Sequence, residues 1–188
     1  METDAGEKIE LLGAQDFPEI GAIEESGSSY EENAAIKARE WANFAGMPAI
    51  ADDSGLEVRA LDWWPGIFSA RASSGSDYDR IEKLLSSLGN HDDRNARFVA
   101  CIVFAFPGVK KEHGCFSSRG ICRGRITHAP RGRGGFGYDP IFVPDGYGAT
   151  FAEMGSLEKS KISHRALAMR GVAHMMSSVI KYYAVRHG

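Results

Sequence analysis

Residues Ala51-Asp52-Asp53-Ser54-Gly55 place two carboxylates side by side at the end of a short apolar run, Ile50-Ala51, with Gly55 free to turn sharply behind them. This reads as a buried strand running out into a turn. Adjacent side chains on extended backbone point to opposite faces, so one carboxylate can face a cleft while the other turns toward the body of the protein. Held together, the two repel unless a cation or hydrogen-bond donors offset the charge. Asp52-Asp53 is therefore the first candidate for a metal or acid–base site. An Asp-Asp-Ser-Gly stretch such as Asp52 to Gly55 also serves as a solvated turn in many chains.

Two further clusters accompany it. Glu24, Glu25 and Glu32 extend the acidic set, and hard cations such as magnesium take carboxylates together with waters and phosphate oxygens. A solvated loop is the bland alternative for Glu24-Glu25. Gly132 to Asp139 holds four glycines within six positions, which allows close backbone approach to a ligand. There Phe136 and Tyr138 are candidates to stack on a base or to pack onto the core, and Arg131 and Arg133 to attract phosphates. Farther on, Ser163 is a candidate N-cap, which puts the cations His164 and Arg165 at a helix start, with Lys159 nearby. Cations ordinarily avoid that end because the dipole opposes them, so an anionic or acceptor-rich ligand, or a salt bridge to surface acids, is implied. Taken together, these clusters suggest a nucleotide with metal-bound phosphates. Their spacing does not name a reaction.

Positioning such residues requires a framework, and periodicity supplies one. Ile9 to Leu12 reads as a short strand. Ser28 or Ser29 caps a helix in which Tyr30, Ala34, Ala38, Trp41 and Ala45 recur at helical spacing, with Glu31 or Glu32 completing a capping box and Gly46 and Pro48 stopping it. Pro48 to Ala51 is a strand, Trp63-Trp64 a loop that is either core or an interface patch, and Ile81 to Leu88 a helix closed by Gly89. Phe98 to Phe106 is nine apolar residues in a row, which fits a strand buried on both faces. Cys115 to Ile126 reads as antiparallel or bulged strands interrupted by Gly120 and Gly124, Arg131 to Gly135 as a flexible basic loop, and Ile141 to Val143 as a strand. A last helix runs from about His164 to Tyr183, with Leu167, Val172, Met176, Val179, Ile180 and Tyr183 on one face. The class is α/β.

Composition bounds the rest. With 188 residues the chain is long enough for one domain with a real core. A formal net charge of −3 gives no sign of a general nucleic-acid-binding surface, so phosphates are expected to meet local basic clusters. Cys101, Cys115 and Cys122 lack metal-knuckle spacing, and Cys101 belongs to an apolar run. No stretch approaches the roughly 20 apolar residues of a membrane span, and Met1-Glu2-Thr3-Asp4 does not start a signal peptide, so a reduced cytoplasmic setting is expected.

Several stretches, in order, make the chain resemble the inosine triphosphate pyrophosphatase (Ham1-like) family. They are Ser29 to Ala34 with Lys37-Ala38, Ala51 to Leu56, Pro65-Gly66, Ser69-Ala70-Arg71, Gly135 to Pro140, Glu158-Lys159-Ser160 and Ile162 to Arg165. The resemblance implies a mixed twisted sheet with flanking helices, one domain of two lobes around a long nucleotide-binding cleft. It also implies magnesium dependence, a homodimer, and hydrolysis of ITP, dITP or XTP to the monophosphate and pyrophosphate. Matched by residue, Glu24 and Asp53 fall on magnesium positions, with Asp53 also the general base. Ser54, Phe136, Gly137, Tyr138, Asp139, Lys159, His164 and Arg165 fall on substrate-binding positions. Family members open with an apolar strand and Ser/Thr-x-Asn-x-x-Lys, whereas Met1 to Lys8 is polar and acidic. The segment is expected to be missing, which leaves a catalytically impaired nucleotide-binding protein as the second reading. A phosphohydrolase acting on another phosphorylated small molecule is the third.

Overall fold

The computed structural model describes residues 10–109 and 115–187, the stretch 177–187 by its backbone alone. Its longer elements are α1 (Tyr30–Ala45), β1 (Ala49–Val58), α2 (Asp77–Leu88), β2 (Asn95–Ala105), β3 (Cys115–Ile126), β4 (Phe142–Pro144), α3 (Ser156–Ile162) and α4 (His164–His187). The strands form one sheet in the order β1-β2-β3-β4, and β3 and β4 are antiparallel with Arg125 opposite Val143. Sheet and flanking helices make a mixed α/β fold.

Caps explain where the helices start. Ser29 Oγ accepts from the Glu32 amide at 3.2 Å, while the Glu32 carboxylate reaches back to the Ser28 amide and hydroxyl, both at 2.7 Å. The two predicted serines thus share the capping box. Gly46 closes α1 in the left-handed region at φ 66°. α2 begins one turn before the predicted Ile81, because Ser76 and Asp79 form a reciprocal capping box. β2 follows its apolar run as far as Ala105 but begins three residues before it, at Asn95, and is buried along nearly all its length, Cys101 included.

Other expectations need correction. Ile9 lies outside the described residues, and Glu10 to Gly13 forms no strand, with Leu11 and Leu12 both exposed rather than alternating. The turn expected at Asp52–Gly55 does not form either. β1 runs straight through it, because Leu56 and Val58 are fully buried and the Leu56 amide donates to Ser69 Oγ at 2.9 Å. Cys115–Ile126 is one continuous strand, and its glycines mark close approach rather than interruption. A Cβ on Gly120 would lie 2.0 Å from the His164 carbonyl oxygen, and one on Gly124 2.2 Å from that of Val143. Ile141 belongs to a tight turn at Asp139–Ile141, and β4 starts one residue later. α3 was not anticipated. α4 starts at His164 as expected, but Leu167 is 37% exposed and Ala168 takes its place beside buried Val172 and Met176. The side chains of Val179, Ile180 and Tyr183 lie outside the described residues. Trp64 packs against the core, whereas Trp63 is exposed with the Arg97 guanidinium 4.2 Å from its ring centroid.

The chain divides into two compact units: residues 1–52, 102–118 and 169–188, and residues 53–101 and 119–168. Within the first, Phe17 sets its edge against Trp41 and Phe44, Lys37 pairs with Glu25 at 2.7 Å, and Ser117 donates to Glu31 at 2.6 Å. The second has its core in Leu56, Val58, Ile81, Leu84, Leu88, Phe98, Ile126, Phe142 and Phe151. We expect Gly120→Ala to cost about 1–3 kcal/mol by forcing β3 away from the start of α4. Gly148→Ala, whose Cβ would meet nothing within 4 Å, should change stability by no more than about 0.5 kcal/mol. Thermal unfolding of the two variants side by side checks this, and equal melting temperatures would show the Gly120 contact to be relaxed cheaply.

Candidate functional site

The second unit holds Asp53, Ser54, Phe136 to Asp139, Lys159, His164 and Arg165, whereas Glu24, Glu25, Glu32 and Asp52 belong to the first. The loop from Arg131 to Pro140 is less free than its glycines suggest. The Arg131 amide donates to Pro140 O at 2.8 Å, the Gly134 amide to Ala152 O at 3.1 Å, and Thr150 Oγ1 to Arg131 O at 2.9 Å. Gly135 needs its left-handed backbone, φ 74°, and a Cβ there would fall 2.0 Å from Asp139 Oδ2. Arg131 is engaged by Gly148 O at 2.9 Å and by Glu153 at 3.5 Å.

The two loop aromatics part company. Tyr138 is buried in the core, and its hydroxyl donates to Ser69 O at 3.2 Å. Burial pushes that hydroxyl up to about 12, so it stays protonated and donating through the neutral range. Tyr138 therefore does not present a ring for stacking. Phe136 does, with 59% of its surface exposed. Lys159 Nζ lies 5.2 Å and Arg165 Cζ 5.0 Å from the Phe136 ring centroid, within cation–π range of an exposed ring.

Asp139 organises this arrangement. Only 2% exposed, its Oδ2 accepts from the Phe136 amide at 2.9 Å and from the Lys159 ammonium, which also lies 5.1 Å from the Phe151 ring. A buried carboxylate is tolerable because a cation and an amide answer it. Lys159 is carried by α3, and Arg165 by the first turn of α4, where Ser163 Oγ accepts from the Ala166 amide at 3.3 Å. His164 is buried and stacks on Phe98 at 4.6 Å with the rings 7° apart, which places its ring within the aromatic core.

Asp53 and Ser54 lie within β1, where Asp53 is buried and its neighbours Asp52 and Ser54 are half-buried, in keeping with the alternation of a strand. Glu24 belongs to the first unit, exposed in the loop before α1. Among the described residues no group of three or more His, Cys, Asp or Glu side chains converges. Glu24 and Asp53 each carry hard carboxylate oxygens, the donor type that magnesium takes along with water and phosphate.

Asp77 escaped the sequence reading. Its Oδ2 accepts from the Gly137 amide at 2.5 Å and its Oδ1 from Arg80 Nη2. The Gly137 amide first, then Arg80, hold the carboxyl below its ordinary value, so the tie is complete above about pH 4 and is lost only as the pH falls through the depressed value. The signal was available in Ser76-x-x-Asp79, which marks Asp77 as the first residue of a helix.

An α/β fold presenting an exposed aromatic ring beneath two cations, with a buried aspartate within a strand, defines a candidate ligand-binding α/β protein. The chain belongs to the Ham1 family, matching it over residues 2–175. It is 46% identical over 165 residues to a protein of Deinococcus radiodurans named dITP/XTP pyrophosphatase, covering 87% of this chain and 78% of that one. It is 45% identical over 171 residues to a protein of the same name from Christiangramia forsetii, covering 90% and 87%. Among solved structures, the Ham1 protein of Staphylococcus aureus superposes with a TM-score of 0.78 at 37% identity, covering 92% of this chain and 86% of that one.

Asp139→Ala would leave the Lys159 ammonium and the Phe136 amide unanswered. We expect a loss of about 3 kcal/mol, which for a chain of this size lowers the melting temperature by roughly 6–12 °C. A melting temperature within a degree or two of the parent would show that the pair contributes little.

Proposed function

We propose that this chain hydrolyses non-canonical purine nucleoside triphosphates (ITP, dITP and XTP) to the monophosphate and pyrophosphate. The observation that carries the reading is the exposed Phe136 ring set beneath Lys159 and Arg165, in a member of a family whose relatives bear the name dITP/XTP pyrophosphatase. Those names favour turnover over nucleotide binding alone.

In this reading Phe136 offers a flat face for the purine. Arg165 carries only donors and so satisfies the 6-keto oxygen of hypoxanthine or xanthine, whereas the amino group of adenine would meet it donor to donor. Lys159, oriented by Asp139, adds positive charge beside the ring. Glu24 and Asp53 would hold magnesium, which when bound neutralises charge on the triphosphate. Asp53 orients or deprotonates the attacking water, with Ser54 contacting the substrate. A homodimer in the cytoplasm is part of the same proposal. Among the described residues no helix is long and apolar enough to cross a membrane.

Asp53→Asn keeps the shape but removes the charge, and should lower kcat for XTP and dITP by on the order of 10² to 10⁴ with the far-UV spectrum unchanged. Near-parental turnover at saturating magnesium would remove Asp53 from the mechanism. Arg165→Ala should raise KM for XTP by roughly tenfold or more, the loss of a charge-assisted hydrogen bond, while inhibition by inorganic tripolyphosphate stays constant. Equal weakening of both would reassign Arg165 to the phosphates.

A further inference from the structure

We propose that Asp77 is a positioning residue for base recognition, holding the Gly137 amide and so fixing the direction in which Phe136 presents its ring. The inference rests on the function proposed above.

The loop cannot supply that direction itself. Gly132, Gly135 and Gly137 all adopt positive φ, at 82°, 74° and 59°, and Gly134 adds a fourth position without a side chain. Left untied, such a segment samples many conformations. Asp139 closes the turn, accepting from the Phe136 amide at 2.9 Å while its own amide donates to Phe136 O at 3.2 Å. Both bonds lie within three residues of the ring they serve, so they set the shape of the turn but not its orientation against the rest of the unit.

The Gly134 amide on Ala152 O and the Asp139–Lys159 pair tie the loop on either side, and Asp77, from sixty residues away, adds an external reference at Gly137 itself, next to the ring. It occupies the first position of α2, a helix anchored in the core by Ile81, Leu84 and Leu88. Its second oxygen takes Arg80 Nη2, and Arg80 Nη1 donates to Gly75 O at 2.9 Å, so the carboxylate is itself held in place. On the other side of Gly137, Tyr138 is tied to Ser69 O, and Ser69 Oγ accepts from the Leu56 amide of β1 at 2.9 Å. The strand that carries Asp53 and the loop that carries Phe136 are thereby linked through Ser69, and Asp77 sets the remaining rotation of the loop. Asp79, two residues on, caps α2 through Ser76 and makes no contact with the loop in the bonds described.

The test compares Asp77→Ala, Asp77→Asn and Asp79→Ala in the full chain, by amide hydrogen exchange and by steady-state kinetics with XTP. Asp77→Ala should speed exchange across residues 135–138 by about tenfold and raise KM for XTP by a similar factor, with kcat within about twofold. Inhibition by inorganic tripolyphosphate should not move. Asp77→Asn keeps an acceptor oxygen for the Gly137 amide and should recover part of both losses. Asp79→Ala should loosen the start of α2 yet leave the loop and KM unchanged. The proposal is overturned by unaltered exchange at residues 135–138 in Asp77→Ala, by equal KM effects in Asp79→Ala, or by a fall in kcat at constant KM. Absence of XTP turnover in the parent would overturn the proposed function instead, and the exchange comparison, which needs no substrate, would still decide whether Asp77 holds the loop.

Discussion

A carboxylate almost wholly removed from water must be answered by donors, and Asp139 is answered by the Phe136 amide and the Lys159 ammonium. That requirement draws two pieces of chain together, the glycine-rich loop and α3, and the ring of Phe136 is left exposed beside the cations as a consequence. Four glycines let the backbone wrap Asp139 closely, and Gly135 in particular has no room for a side chain. The freedom the glycines allow is then removed by hydrogen bonds to Ala152, Asp77 and, through Tyr138, Ser69. Order at the candidate site thus comes from long-range ties on a segment with little intrinsic preference.

Close backbone approach extends the same logic to the scaffold. Gly120 lets β3 lie against the start of α4, where Arg165 is carried, and Gly124 lets it lie against β4. A side chain at either place would displace an element that positions the loop or its cations. β1 contributes in another way: its alternation buries Asp53 while Asp52 and Ser54 remain half-buried, so two adjacent carboxylates occupy different environments.

Much of this was legible where the cause is local. Ser29 and Ser163 mark helix starts, Gly46 a helix end, and the apolar run from Phe98 a buried strand, because caps and continuous burial leave signatures within a few residues. The ordered motifs also named the residues now found around Phe136. What was misread depends on partners far along the chain. Asp-Asp-Ser-Gly looks like a turn unless Ser69 is known to engage Leu56 across thirteen residues. Gly120 and Gly124 look like interruptions unless the opposing carbonyls are seen, and α3 is a seven-residue helix without a side-chain cap. Tyr138 and Phe136, two residues apart, differ only in what packs on them. Ser76-x-x-Asp79 puts Asp77 at a helix start, but nothing local announces its bond to Gly137, sixty residues along the chain.

The central claim is the bond that is broken in the substrate, and phosphorus-31 nuclear magnetic resonance of the purified chain turning over XTP and dITP with magnesium reads it directly. The account predicts inorganic pyrophosphate and the nucleoside monophosphate as the sole products, appearing together in equal amounts, with dATP turned over far more slowly. Orthophosphate with the nucleoside diphosphate, or turnover indifferent to the 6-position of the base, would contradict it.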